Sequence, residues 1–187
     1  MALSLNGTSN GSLNNLSLTA NTGTILDSAN TTFFGADVWR LASNLTSPIT
    51  NGTVLTDVER ADDAFYGKVG TGMTVSSGIF TFPTTGIYLV FAKLEIQITT
   101  ADTQCQFYTM VTQDNSSYTL AARALSGDGT SSAVVSSGCS FALVDVTDVS
   151  NVKVRFEVDS TTLSGKVILG ASNQNRTSFY FTRLGDT

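Results

Sequence analysis

The chain has 187 residues, a length that suits one domain with its own hydrophobic core. Only 13% of the residues are charged and the formal net charge is −5, so the sequence lacks the clustered basic surface that a nucleic-acid-binding protein needs. It contains no His, which excludes the common hydrolase triads and a His-activated thiol, and we expect neither enzymatic activity nor a cofactor.

No part of the sequence has the properties of a membrane span. The longest apolar run, residues 86–98, is shorter than the roughly 18 residues that cross a bilayer and is interrupted by Lys93 and Glu95. Residues 1–7 have neither the basic nor the apolar region of a secretory signal. We therefore expect no membrane insertion and no export by the standard secretory route.

The first 35 residues are rich in Asn, Gly, Ser and Thr, and their leucines are spaced too irregularly for one amphipathic helix. We predict an extended N-terminal arm with one or two short strands, for which a flexible terminus is the alternative. Its few apolar groups cannot offset the entropy lost on ordering, so an ordered arm needs a neighbouring surface. The residues predicted to attach it are Leu3, Leu5, Leu13, Leu16 and Leu18.

Residues 33–72 combine an apolar segment, a polar loop with Pro48, and the acidic segment 57–65. The acidic segment is the only place where we predict a helical turn. Carboxylate oxygens of this kind could bind calcium, but their spacing does not match an EF-hand loop, so we favour a charged turn exposed to solvent. The acidic residues concerned are Asp57, Glu59, Asp62 and Asp63.

From residue 79 onward, strand signals alternate with turn residues. Residues 87–98 begin as a continuous apolar run and end in alternation, which predicts a strand covered on both faces at its start and on one face at its end. The cleanest alternation places Lys153, Arg155 and Glu157 outward and the following residues inward: Val152, Val154, Phe156 and Val158. The predicted strands are 79–82, 87–98, 104–111, 118–125, 133–146, 152–158, 166–169 and 177–184.

The two cysteines lack the CxxC spacing of a zinc or redox site. We favour two buried thiols, each in a strand, because small apolar thiols are commonly buried in protein cores. The alternative is a single disulfide between Cys105 and Cys139, which would require an oxidising compartment.

About eight to ten short strands with polar turns and no helices between them predict an all-β antiparallel jelly-roll sandwich. Residues 78–91, an aromatic strand followed by Pro83, a glycine turn and a Gly-x-Tyr-x-x-Phe strand, resemble the central signature of C1q/TNF-like jelly rolls. Residues 178–184 are similar to the last strand of that fold. The resemblance covers residues 36–187 and leaves out the N-terminal arm.

A closer resemblance is to C1q-like virion proteins of marine tailed phages. The chain lacks the collagen-like Gly-X-Y repeat of animal C1q relatives, which argues against a complement or hormone role. The stretches that carry the phage resemblance are residues 3–12, 36–40, 59–63, 70–73 and 182–187.

The resemblance implies a compact homotrimer. Aromatic side chains of strands that face another subunit would supply apolar burial around a threefold axis. For each such residue the alternative is a place in the core of the sandwich. The residues predicted to include the axis contacts are Tyr88, Phe107, Tyr108, Phe179 and Phe181.

We therefore expect a non-enzymatic structural protein of a phage virion, either a trimeric head decoration or a short head fibre. Residues 1–35 would attach it to the major capsid protein or to another virion protein, because an added strand satisfies unpaired backbone groups on the partner. The alternative is a tail-fibre or receptor-binding protein that recognises host surface glycans through loops 114–118 and 126–132.

Overall fold

The described part of the molecule corresponds to the domain predicted over residues 36–187. The predicted N-terminal arm, with its five attachment leucines, lies outside the described residues apart from Gly35. The computed structural model describes residues 35–46, 49–98, 102–128, 134–159 and 166–187.

Every regular element of the described residues is a β-strand, and all strand pairs are antiparallel. No helix among these residues could cross a membrane. The eight predicted strands are all present as β6 to β13, and the structure adds β1 and four strands of two or three residues, β2 to β5. The strands are β1 Gly35–Leu41, β2 Leu45–Thr46, β3 Thr53–Val54, β4 Val58–Arg60, β5 Thr74–Ser76, β6 Ile79–Thr81, β7 Gly86–Ile98, β8 Asp102–Thr112, β9 Tyr118–Asp128, β10 Val134–Val146, β11 Lys153–Asp159, β12 Lys166–Ile168 and β13 Ser178–Gly185.

The strands form two sheets that pack face to face. In the seven-stranded sheet, β10 pairs along the whole of one side of β7, and β13 and β12 pair in succession along its other side. β1 and then β4 continue this sheet beyond β13, and β2 lies beside β12. The six-stranded sheet has the order β5, β6, β11, β8 and β9, with β3 also paired to β11. The predicted jelly-roll sandwich is confirmed.

The hairpin between β5 and β6 shows why its turn forms where it does. Ser77 and Gly78 connect the paired residues Ser76 and Ile79, and their φ angles are 50° and 77°. A two-residue loop with both φ angles positive has the twist that antiparallel strands need. Gly78 supplies the second of these conformations, and a side chain there would overlap Val54 and the backbone of Leu55.

Aromatic rings from both sheets fill the space between them. Phe156 of β11 stacks on Phe179 of β13 with ring centres 4.2 Å apart, and Phe80 of β6 lies 5.1 Å from Phe181 of β13. Full burial of each such side chain contributes about 1.5–3 kcal/mol, so this cluster is a principal source of stability. The fully enclosed phenylalanines are Phe80, Phe82, Phe107, Phe156, Phe179 and Phe181.

Four of the five residues predicted to contact a threefold axis belong to this core. Tyr88, Phe107, Phe179 and Phe181 are at most 3% exposed in the single chain. We therefore correct their assignment from interface to core. Alternation shows which residues of a strand share a face, but it does not show which face is turned inward.

The acidic segment 57–65 contains β4 and a turn, and the predicted helical turn there is wrong. Strand pairing places Glu59 of β4 directly opposite Arg40 of β1, and the Arg40 Nε lies 2.8 Å from the Glu59 carboxylate. This long-range contact outweighs the local helical tendency because it satisfies a buried charge.

Arg40 is completely buried, and its guanidinium binds side chains of the loop that follows β4. It contacts the carboxylates of Asp62 and Asp63 as well as that of Glu59 and donates to the carbonyl oxygen of Ser172. Burial alone would lower the pKa of Arg40, but the hydrogen bonds that it donates to Glu59 and Asp63 outweigh burial and raise the pKa. The prediction of a solvated charged turn is confirmed for Asp57 and Asp62, which are exposed, and is wrong for Glu59 and Asp63, which are half-buried and bind one buried cation together with Asp62.

Candidate assembly surface

The outward face of the seven-stranded sheet is apolar near the start of β7. Along β7, Tyr88 and Val90 point into the sandwich, whereas Ile87, Leu89 and Phe91 point outward and are only half-buried. This parity explains the continuous apolar run in the sequence, because both faces of the strand carry large apolar side chains there. Among the residues that the structure describes, none covers the outward face as fully as the core is covered.

The neighbouring strands extend this apolar surface. On β10, Phe141 lies opposite Phe91 and Leu143 lies opposite Leu89, and they are 72% and 68% exposed. On β13, Tyr180 also lies opposite Phe91, with the two ring centres 5.5 Å apart. Directly opposite residues on neighbouring strands share a face and touch. We call this surface the apolar face; it consists of Ile87, Leu89, Phe91, Phe141, Leu143 and Tyr180.

The same outward face becomes polar towards the end of β7. Glu95 accepts hydrogen bonds from Lys93 Nζ at 3.0 Å and from Arg176 Nε at 2.8 Å. Burial alone would raise the pKa of Glu95, but the two cations outweigh burial and lower it from its ordinary value of 4.5. This polar end therefore has its charges matched within one chain, whereas on the apolar face Phe141 and Leu143 are left largely exposed by the described residues.

The lowered pKa of Glu95 predicts a pH-dependent contribution to stability. A carboxyl whose pKa is depressed on folding stabilises the protein above its ordinary pKa and loses that contribution as the pH falls through the depressed value. We expect Glu95→Gln to lower the free energy of unfolding by about 1 kcal/mol at neutral pH and by almost nothing at about pH 3. Urea unfolding at the two pH values measures this difference. The control is Gln97→Ala, two residues along the same face, which should change the free energy of unfolding equally at the two pH values. A pH-independent effect of Glu95→Gln would contradict the prediction.

The two cysteines have different environments and do not pair with each other. Cys105 of β8 is fully buried in the core, as predicted. Cys139 of β10 is exposed on the outward face of the other sheet, opposite Lys93, so its predicted burial is wrong. The disulfide alternative is excluded because Cys105 is enclosed between the two sheets, whereas Cys139 lies on the outer surface of the other sheet.

The fifth predicted axis residue, Tyr108, lies on the outward face of the six-stranded sheet. Its side chain is half-buried, and its hydroxyl donates to Gln106 Oε1 at 2.9 Å. It is therefore on the opposite side of the sandwich from the apolar face, and a contact with another subunit there stays a prediction. The apolar face itself was missed at residue level, although the unbroken run 87–91 is the signal that indicates it.

The acidic side chains offered no cation site. Glu59, Asp62 and Asp63 direct their carboxylates at Arg40, and the described ranges hold no group of three or more Asp, Glu, Cys or His residues placed to bind a metal ion. A guanidinium that is already bound by these oxygens occupies the place that a cation would need.

The loop 114–118, predicted as part of a glycan-binding tip, presents no exposed aromatic ring. Asp114 accepts hydrogen bonds from the backbone N–H groups of Ser117 and Ser116 at 2.7 and 2.9 Å, which lower its pKa well below the usual range. Tyr118 is half-buried, and the Arg155 guanidinium lies over its ring at 3.8 Å. The other predicted loop, 126–132, is described only as far as Asp128.

Comparison with known proteins identifies the fold. No family profile and no curated protein sequence matches the chain. Among solved structures, Eiger TNF from S. frugiperda aligns with a TM-score of 0.60 and 12% identity over 82% of this chain and 94% of that chain. Murine APRIL, crystallised at pH 8.0, aligns with a TM-score of 0.54 and 12% identity over 81% of this chain and 99% of that chain. The predicted C1q/TNF-like jelly roll is confirmed, and at this identity the likeness concerns the fold alone.

Proposed function

We propose that the chain is a non-enzymatic structural protein that assembles as a homotrimer through the apolar face. The observation that carries this proposal is the exposure of Phe141 and Leu143, which are 72% and 68% exposed on a sheet whose neighbouring outward residues are also apolar. Contiguous apolar surface of this kind on a soluble protein marks an interaction site. Jelly rolls of the TNF type typically form homotrimers, which supports a second and third copy as its partners.

A closed ring requires two different surfaces on each copy. The apolar face supplies the first. The second is the adjacent edge of the sandwich, where β9 and β10 approach each other and Ser126 Oγ donates to Ser136 Oγ at 2.8 Å. β9 exposes Leu120 and Leu125 on this edge, to 44% and 49%. In this proposal the edge of one copy packs against the apolar face of the next, and three such head-to-tail contacts close the ring.

We further propose that the trimer belongs to a phage virion, as a head decoration or a short head fibre. The likeness of residues 3–12 and 182–187 to phage virion proteins and the low content of charged residues, 13%, support this role. In this proposal residues 1–35 attach the trimer to the major capsid protein or to another virion protein through Leu3, Leu5, Leu13, Leu16 and Leu18.

Deletion of residues 1–30 tests the attachment role. We expect the truncated protein to remain a soluble trimer by sedimentation, because the apolar face lies within residues 87–180, and to lose co-sedimentation with phage particles. The full-length protein mixed with the same particles is the positive control. Undiminished co-sedimentation of the truncated protein would disprove the role of the N-terminal arm, whereas failure of the full-length protein to bind would argue against a virion location.

The alternative function is recognition of host surface glycans by a receptor-binding protein. The loop 114–118 offers no exposed aromatic ring to support it, since Tyr118 packs under Arg155. Outside the apolar face, the most exposed aromatic ring of the described residues is that of Phe65, on a different loop.

A further inference from the structure

The loop between β4 and β5 carries the most exposed large apolar side chain among the described residues. Phe65 is 80% exposed and contacts the ring of Tyr66, with ring centres 4.7 Å apart. β4 lies at the edge of the seven-stranded sheet opposite to β10, so this ring pair is far from the exposed Phe141. The apolar face therefore does not account for the exposure of Phe65.

The first half of this loop is held in place by buried contacts. Arg40, completely buried, binds the carboxylates of Asp62 and Asp63 immediately before the ring pair. The N–H of Tyr66 donates to the carbonyl oxygen of Asp63 at 2.8 Å. These contacts limit the ways in which the loop could turn its rings inward, and a ring fixed before binding loses little entropy on contact with a ligand.

The second half of the loop is fastened to β1. Val69 and Ala36 exchange two backbone hydrogen bonds, of 2.9 and 3.1 Å. Further on, buried Asp37 accepts from the Met73 N–H at 2.8 Å and from Arg60 Nε at 2.9 Å. A side chain at Gly72 would overlap Asp37, so glycine is needed for this close approach.

A groove of about 410 Å³ runs beside the ring pair. Pockets that bind small ligands generally span about 300–1,000 Å³ and combine an apolar wall with a few convergent polar groups. Here Tyr66 supplies the aromatic part, and two acidic and two basic side chains supply the polar part. The groove is lined by Asp37, Val38, Arg60, Ala61, Asp62, Tyr66, Gly67 and Lys68.

We propose that this groove, which Tyr66 lines and which the exposed ring of Phe65 adjoins through its contact with Tyr66, binds a neutral oligosaccharide. A sugar ring has an apolar C–H face that packs on an aromatic ring and a rim of hydroxyl groups that hydrogen-bond to charged side chains. Asp62, with a side chain 80% exposed, can accept from such hydroxyls, and Lys68, also exposed, can donate to them. The proposal is independent of trimer assembly.

Size and charge distinguish this ligand from the other classes. A stable protein interface buries about 800 Å² on each partner, far more than two partly exposed rings provide. The two acidic and two basic residues of the groove balance, so it does not attract a strongly anionic glycan or an anionic lipid surface. A neutral sugar of one to three rings matches both the size and the charge.

The test uses the full-length protein and saturation-transfer NMR with lactose, cellotriose and α-linked mannotriose, and with a sulfated disaccharide as the anionic contrast. We expect transfer to the C–H protons of at least one neutral saccharide, with millimolar affinity. Phe65→Ser should weaken this binding about tenfold, because it removes the ring that covers the sugar face. Near-ultraviolet circular dichroism of Phe65→Ser checks that the fold is retained.

The matched control is Phe141→Asp, which removes a similarly exposed ring from the apolar face. It should lose trimer mass and keep saccharide binding per chain, whereas Phe65→Ser should keep the mass and lose the binding. The proposal is overturned by no transfer to any of the three neutral saccharides, by equal transfer with Phe65→Ser, or by stronger binding of the sulfated disaccharide. A lower sedimentation mass of Phe65→Ser would also overturn it, since Phe65 would then lie between copies. A wild-type monomer that still binds saccharide would refute the trimer and leave this site in place.

Discussion

Phe141→Asp should convert the protein from a trimer into monomers. The side chain is 72% exposed in the single chain, so its loss costs the subunit little, but in the proposed trimer it is buried against the next copy. Loss of a buried phenylalanine costs about 2 kcal/mol, and the change occurs three times per trimer. The resulting dissociation constant should rise about ten-thousand-fold or more, since the new carboxylate must also be desolvated. Sedimentation at micromolar concentration measures the mass.

Phe65→Asp is the matched control for this experiment. It introduces the same charge at a phenylalanine that is 80% exposed, on the loop at the opposite edge of the sheet. We expect this variant to sediment as the wild-type trimer does. A Phe141→Asp protein that stays trimeric would refute assembly through the apolar face, and a wild-type protein that sediments as a monomer would refute assembly altogether.

Of all these substitutions, Arg40→Met should lower the free energy of unfolding of the subunit the most. The variant keeps much of the side-chain volume but leaves Glu59 and Asp63, which are 33% and 21% exposed, without their shared cation. Removal of one partner from a buried charge cluster costs about 3–5 kcal/mol, and the exposure of Asp62 favours the lower end of that range. Urea unfolding at one fixed protein concentration measures the loss, because the proposed trimer would make stability depend on concentration.

Two further variants separate the role of Arg40 from a general effect of losing an arginine. Arg123→Met, at an exposed position of β9, should change the free energy of unfolding by less than about 0.5 kcal/mol. Arg40→Lys should be intermediate, because an ammonium keeps the charge but not the fork of donors that reaches several carboxylates. Hydrogen exchange should show faster opening of the Tyr66 and Val69 amides in Arg40→Met. An Arg40→Met protein as stable as Arg123→Met would contradict the assignment.

Two groups of residues lie where their polarity alone would not place them: the charged residues around Arg40 and the residues of the apolar face. Arg40, Glu59 and Asp63 are polar residues that the fold buries, because pairing of β1 with β4 brings their charges together. Phe141 and Leu143 are apolar residues that the single chain leaves exposed. In both cases composition alone predicts the opposite location. The burial of the charges reflects a contact that is distant in the chain, and the exposure of the apolar residues is what the proposed contact with another copy would explain.

Local pattern was sufficient for the strands from residue 79 onward, but it did not indicate β1 to β5. The run of turn residues and period-two alternation after residue 79 placed β6 to β13 correctly, and the predicted inward set Val152, Val154, Phe156 and Val158 is buried. Such patterns work because alternation and turn chemistry are properties of neighbouring residues. The resemblance of residues 78–91 to C1q/TNF-like jelly rolls then indicated how the strands are arranged, and the fold agrees with it.

The orientation of each strand and the partners of its charges required the tertiary structure. Residues 178–184 alternate equally well with Phe179 and Phe181 inward or with Tyr180 and Leu184 inward, and only packing against Phe156 and Phe80 selects the first arrangement. The helical turn predicted in residues 57–65 likewise does not form, because Glu59 binds Arg40, which is distant in sequence. Short-range periodicity therefore defines the strands of this protein, whereas register between distant strands decides which side chains form the core, which balance a buried charge, and which remain for a partner.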